Sequence, residues 1–176
     1  GRVLAVLKDE ILLRSEADNV LDVKLIAGET LPQPGTAVCV VGTPETDLYH
    51  INLIAARIKT LDDMPQGFGD APRDVSAESV LSDRDGASHF EPRFHGQAIR
   101  LSGIARSAPT EDFPNINLDC DGRIVPVNVH ATLKGLPTIP RGSRLSVAGI
   151  CRMDADAWQP NRVFPQIRGF TLVPRT

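Results

Sequence analysis

The sequence predicts an all-β protein built from two copies of a five-stranded unit. Three observations carry that reading: dense Gly and Pro, an internal repeat, and short runs of alternating hydrophobicity. The 176 residues include 14 Gly and 14 Pro, too much punctuation for a helical bundle and well suited to short strands joined by turns. Apolar residues make up 41% of the chain and the formal net charge is only −3, which excludes low-complexity disorder. No apolar run approaches the roughly 18 residues that a membrane-crossing helix needs.

The repeat organises the chain. The stretch from Leu31 to Gly42 resembles that from Leu136 to Gly149. In each, a Pro-rich loop and a turn glycine (Gly35, Gly142) lead into an alternating strand that ends on a second glycine. Three strand signals precede each copy: Arg2–Leu7, Glu10–Arg14 and Val20–Ile26 in the first half, Ala98–Arg106, Ile116–Cys120 and Arg123–Val129 in the second. One more follows each copy, near Ile51–Lys59 and Val163–Leu172. Alternation with period two places every second side chain on one face, as a half-buried strand requires. Asp121-Gly122 between two such runs is a strong two-residue hairpin signal, because both residues tolerate positive φ.

Five strands in that order, with a longer connection between the third and fourth, suit a small closed or nearly closed barrel of the OB type. Closure removes the unpaired edges that so short a sheet would expose. The expected organisation is a first OB-like barrel over residues 1–60, a connector over 61–94 and a second OB-like barrel over 95–176. The connector carries eight acidic and three basic residues, a net of −5, against −2 for residues 1–60 and +4 for residues 95–176. Most of it is kept irregular by Gly and Pro. One short helix is expected near residues 76–82, with Ser76 as its cap and Val80 and Leu81 as its apolar face.

The ends and the cysteines are less informative. The chain opens Gly1-Arg2-Val3, with no initiator Met, and strand pattern starts at once, so it reads as a piece of something longer. Cys39, Cys120 and Cys151 are odd in number and lack C-x-x-C spacing. They leave the redox compartment open and read as small apolar core residues.

A search for chemistry finds no catalytic motif. The four histidines (His50, His89, His95, His130) have neither metal-ligand spacing nor a neighbouring cysteine, so no metal and no cofactor is expected. No nucleophile elbow, phosphate loop or dinucleotide fingerprint occurs. Single-stranded nucleic acid is the alternative partner for an OB-type barrel. It needs aromatic stacking platforms within a basic groove. Aromatic residues are only 5% of this chain, and Phe68, Phe90, Phe94 and Phe113 fall in or beside connectors. The second half does hold many arginines, and Arg100 and Arg106 share one face of a strand by their even spacing. A solvated or partner-facing arginine surface is the preferred reading.

Two loops at the expected barrel rims carry amphipathic aromatics. Trp158 and Asn161 precede the last strand, and Tyr49 and His50 occupy the matching place in the first copy. Together with Arg100 and Arg106, these are the candidate ligand or partner contacts.

Beyond its physics, the sequence is similar to a known family. Val40-Val41-Gly42-Thr43-Pro44-Glu45-Thr46-Asp47 resembles the end of the first barrel in the extracytoplasmic region of some bacterial membrane-bound sensor histidine kinases. The second half resembles their second barrel through Val75-Ser76-Ala77-Glu78-Ser79-Val80-Leu81, the stretch from Gly96 to Arg106, Val147-Ala148-Gly149-Ile150-Cys151 and Gln166-Ile167-Arg168-Gly169-Phe170. In that family tandem barrels precede a membrane segment and cytoplasmic signalling modules. The resemblance implies a non-catalytic sensory or interaction region, lying in the periplasm as part of an inner-membrane protein. It names no ligand: a small molecule and a protein partner both stay open, as does a homodimer. Contact with the membrane would come only through the parent protein.

Overall fold

The structure, a computed structural model, describes residues 1–46, 51–61, 71–84, 87–155 and 167–174. It is mostly β and divides into two compact units, Gly1–Asp70 and Ala71–Thr176.

The first unit is a five-stranded sheet of β1 (Arg2–Val6), β2 (Glu10–Arg14), β3 (Val20–Leu25), β4 (Val38–Thr46) and β5 (Ile51–Thr60). Its order is β1-β2-β3-β5-β4, with β3 and β5 parallel and the other pairs antiparallel. The β2–β3 turn uses Asp18 at φ 62° and caps itself through Asn19 N–H donating to Ser15 Oγ at 3.1 Å. Alternation sends Val3, Ile11, Leu13, Val23, Leu25, Val38 and Ala56 into one apolar core. Full burial of each large aliphatic among them contributes about 1.5–3 kcal/mol.

The second unit begins with β6 (Arg73–Asp74), a single helical turn α1 (Ala77–Val80) and a hairpin of β7 (Leu81–Arg84) with β8 (Ala87–Phe90). The main strands follow: β9 (Ala98–Ala105), β10 (Asn115–Cys120), β11 (Arg123–Asn128), β12 (Arg144–Ala155) and β13 (Ile167–Pro174). Their order is β10-β11-β13-β12-β9, and β9 pairs back onto β10 through Ala105↔Leu118 and Ile104↔Asp119. The five strands therefore form a closed barrel. Its core holds Ile99, Leu101, Leu118, Val125, Val127, Phe170 and Leu172.

Helix α1 starts as the sequence expects, with Ser76 Oγ accepting from Ser79 N–H at 3.1 Å. Ala77, Val80, Leu81 and Phe94 join the core of the second unit. This stretch, expected to lie in a connector, thus serves as packing for one barrel. Its apolar residues at 77, 80 and 81 needed a core, and the nearest in sequence supplied it.

The repeat recurs in three dimensions. Gly35 and Gly142 both adopt left-handed φ, at 89° and 90°. Gly35 N–H donates to Val3 O at 2.8 Å, and Gly142 N–H to Ala105 O at 2.7 Å. Val3 N–H returns a bond to Thr36 O at 3.0 Å, as Ala105 N–H does to Ser143 O at 2.9 Å. The same turn thus ties the first strand of each unit to the entry of its fourth.

Beyond that turn the units differ. In the second, β9 runs along β12 over seven residue pairs, from Ile104↔Arg144 to Ala98↔Ile150. In the first, β1 meets the fourth strand only at the bridge Arg2↔Ala37 and through Gly1, which exchanges two 2.9 Å hydrogen bonds with Val38. The sheet of the first unit is therefore not closed by a ladder, and the expectation of two closed barrels is met in the second unit alone. No described helix is long and apolar enough to cross a membrane.

Candidate functional site

The barrel surface opens on either side of the β10–β11 hairpin. Asp121 (φ 53°) and Gly122 (φ 88°) form its two-residue turn, the left-handed pair that a tight hairpin demands. Asp119, two residues earlier, holds this turn. Its Oδ1 accepts from Gly122 N–H at 2.8 Å, and its Oδ2 accepts from Arg106 Nε at 2.9 Å and from Arg106 Nη2. These bonds favour the ionised carboxylate. The Arg106 guanidinium first, and the Gly122 amide second, hold the Asp119 carboxyl below the ordinary aspartate range.

One groove, of about 710 Å3, lies over β9 and β12 on the side of this turn. Gly103 gives it a floor without a side chain. A Cβ there would sit 2.5 Å from Asp119 O, so glycine is what lets β10 approach β9 and close the barrel. Around that floor stand Ser102, Ile104, Arg144, Leu145 and Ser146. Ser102 and Ser146 are direct cross-strand partners. Their hydroxyls each offer a donor and two acceptor lone pairs, beside the Arg144 cation, the Ile104 side chain and the carboxylates of Asp119 and Asp121. That mixture suits a polar organic ligand or a peptide.

A second groove, of about 620 Å3, lies on the other side of the turn, between Ser76, Glu78, Arg123 and Ile124. Ile124 is 52% exposed, an apolar contact standing free on the outer face of β11. Cys120 also borders this groove but is buried. Desolvation, reinforced by Asp119 and Asp121, pushes its thiol up to about 11. It stays a neutral thiol at physiological pH.

The loop between β9 and β10 displays a further aromatic. Thr110 N–H donates to Phe113 O at 3.0 Å, and Phe113 N–H donates to Thr110 Oγ1 at 3.1 Å. This closed turn leaves the Phe113 ring 76% exposed.

Of the candidates read from sequence, Tyr49, His50, Trp158 and Asn161 lie outside the described residues. Arg100 lies within β9 and Arg106 just past its end. Six residues of strand separate them by about 20 Å, so they cannot converge on one small ligand. Each also has a carboxylate: Arg100 Nη1 lies 3.2 Å from Asp74 Oδ1 across the parallel β6–β9 pair, and Arg106 is held by Asp119. Their charge is spent within the unit.

Sequence reasoning missed Ser102, Ser146, Ile104 and Arg144 as one surface. The alternation Leu101-Ser102-Gly103-Ile104 and Leu145-Ser146-Val147 does show that these residues face outward. Which strands lie side by side, and in what register, is what brings them together. His95 is also accounted for, its Nδ1 accepting from Met153 N–H at 3.1 Å. Among the described residues, no three His, Cys, Asp or Glu side chains gather as a metal-holding group. In comparisons with protein families, curated proteins and solved structures, nothing matches this chain.

Proposed function

We propose that this chain is a non-catalytic sensory or interaction region of a bacterial signal-transduction receptor of the histidine kinase type. In this reading both units are OB-type barrels on the extracytoplasmic side of the inner membrane, and the second barrel receives the ligand or partner. The observation that carries it is the groove over Gly103, where a closed barrel presents paired serine hydroxyls, Arg144 and Ile104 beside Asp119 and Asp121 on one surface. The common strand order of the two units and the sequence resemblance of both halves to those receptors support it further. Sensing requires that the ligand bind two states of the chain with different affinity.

The test is a panel of periplasmic small molecules and peptides added to the full chain, read by amide chemical shifts and by thermal stability. Shifts centred on Ser102, Ile104 and Ser146, with a rise in Tm, are the expected result. A panel that leaves both readouts unchanged would overturn the reading. The alternative is an OB-type single-strand nucleic-acid binder, which the pairing of Arg100 with Asp74 and Arg106 with Asp119 disfavours. Tight, salt-sensitive binding of a fluorescent oligonucleotide would install it instead.

A further inference from the structure

Asp-Gly is a step at which a peptide chain readily rearranges, because glycine leaves the amide nitrogen after the aspartate unhindered. That nitrogen attacks Cγ of the neutral carboxyl, and its proton leaves with the carboxyl hydroxyl as one water. Water then reopens the five-membered succinimide at either carbonyl. One opening restores aspartate; the other leaves isoaspartate, with the main chain running through Cβ and Cγ. The step occurs twice in this chain, at Asp85-Gly86 and at Asp121-Gly122, and the first lies outside the described residues.

Asp121 and Gly122 are both exposed, so water reaches them, yet their backbone holds the reaction off. Their φ values of 53° and 88°, with Cys120 and Arg123 paired on either side, define a type I′ turn. Such a turn sets ψ of its first residue at about +30°. At that ψ the Cα–Cβ bond of Asp121 is directed away from the Gly122 nitrogen. Cγ reaches the nitrogen only after ψ swings by more than a quarter-turn, and that rotation carries the Gly122 N–H with it. Asp119 Oδ1 holds this N–H at 2.8 Å, and Asp119 is itself tied through Oδ2 to Arg106. Ring closure therefore has to break the Asp119–Gly122 bond and the end of the β10–β11 ladder together. The bonds that keep the Asp119 carboxyl below the ordinary aspartate range keep it an acceptor in mildly acidic solution, where ring closure from aspartate is fast.

We propose that Asp121 is a site of succinimide-mediated isomerisation, and that Asp119, by holding the Gly122 amide, confines the reaction to molecules whose hairpin turn has opened. The consequence reaches both grooves, since Asp121 and Gly122 line each of them. Isoaspartate inserts one extra carbon into the main chain between strands that pair up to Cys120 and Arg123, and a two-residue turn has no slack for it. The modified hairpin loses its last pair, and Asp119 loses the amide it held. One covalent event thus reshapes both grooves and marks the chains in which the turn opened.

The test follows isoaspartate at residue 121 in the full chain kept in mildly acidic buffer. Isoaspartyl methyltransferase labelling reads the product, and peptide mapping separates residue 121 from residue 85. Chain unfolded in guanidinium gives the unrestrained rate. The folded chain is expected to isomerise at least about tenfold more slowly, because only its open fraction reacts. Asp119→Ala removes the acceptor and is expected to speed the reaction of the folded chain by about tenfold or more, its fold checked by circular dichroism. Asp119→Asn keeps an acceptor Oδ1 and is expected to stay within about threefold of the parent. Both substitutions remove the charge that Arg106 binds, so a rate set by barrel stability would move alike in the two. Equal rates in the two variants would overturn the proposal. So would a folded parent as fast as the unfolded chain, or an Asp119→Ala chain no faster than the parent. Amide exchange at Gly122 of the unmodified chain needs no variant: at least about tenfold protection is expected, and exchange at the rate of an unfolded peptide would also overturn the proposal.

Discussion

Replacing Gly103 by alanine tests whether barrel closure depends on a missing side chain. The added Cβ would stand 2.5 Å from Asp119 O, 2.9 Å from Leu118 Cγ and 3.0 Å from Asp119 C. The closest of these is about 0.9 Å short of ordinary contact at 3.4 Å, and the atom it meets is backbone. No rotamer change relieves it. Strand β10 must withdraw where Leu118 and Asp119 pair with Ala105 and Ile104, next to the 2.8 Å bond from Arg106 N–H to Asn117 O that continues this seam. Overpacking of this kind costs about 1–3 kcal/mol, and loss of seam hydrogen bonds places the expected value toward the upper end. The assay is urea unfolding followed by far-ultraviolet circular dichroism, which reads the strands of the barrel. With a slope of about 1–2 kcal/mol/M, the midpoint should fall by roughly 1–3 M. Gly135→Ala is the control, since nothing lies within 4 Å of its added Cβ, and it should stay within about 0.5 kcal/mol of the parent. A Gly103→Ala chain as stable as that control would refute the account of closure.

Three further outcomes follow from the same geometry. Asp119→Asn should be destabilising at neutral pH, because the folded state favours the carboxylate; the difference should persist above the ordinary aspartate range and vanish as pH falls through the lower folded-state value, as acid titration of both chains by circular dichroism would show. Cys120, pushed up to about 11 by burial, should weaken the fold between the ordinary thiol value of about 8.5 and about 11, where the unfolded chain alone has lost the proton; Cys120→Ala should lose that alkaline slope in unfolding measured against pH. Ser76→Ala, which removes the hydroxyl that accepts from Ser79 N–H, should cost about 0.5–1 kcal/mol in urea unfolding, with Ser76→Asp restoring most of it.

Much of the architecture was readable from local chemistry. Alternation placed the strands because a pleated backbone sends successive side chains to opposite faces, and Asp121-Gly122 announced its hairpin because few other pairs accept two positive φ values. The repeat was readable for the same reason: Gly35 and Gly142 stand where the turn needs left-handed backbone, and Gly42 and Gly149 where the neighbouring strand leaves no room for a Cβ. The outward direction of Arg100 and Arg106 followed from spacing alone. Their engagement by Asp74 and Asp119 did not, since those carboxylates come from 26 residues upstream and 13 residues downstream in the chain.

By itself, then, the sequence determined the all-β class, the tandem plan, the turns and the capped helix, because each depends on residues within a few positions of one another. Tertiary structure decided the rest. Closure of the second barrel rests on the contact of β9 with β10, and the paired hydroxyls of Ser102 and Ser146 rest on the β9–β12 register. Each of these is a meeting of strands far apart in the chain, and period-two alternation says which face a residue takes but not which strand will lie beside it.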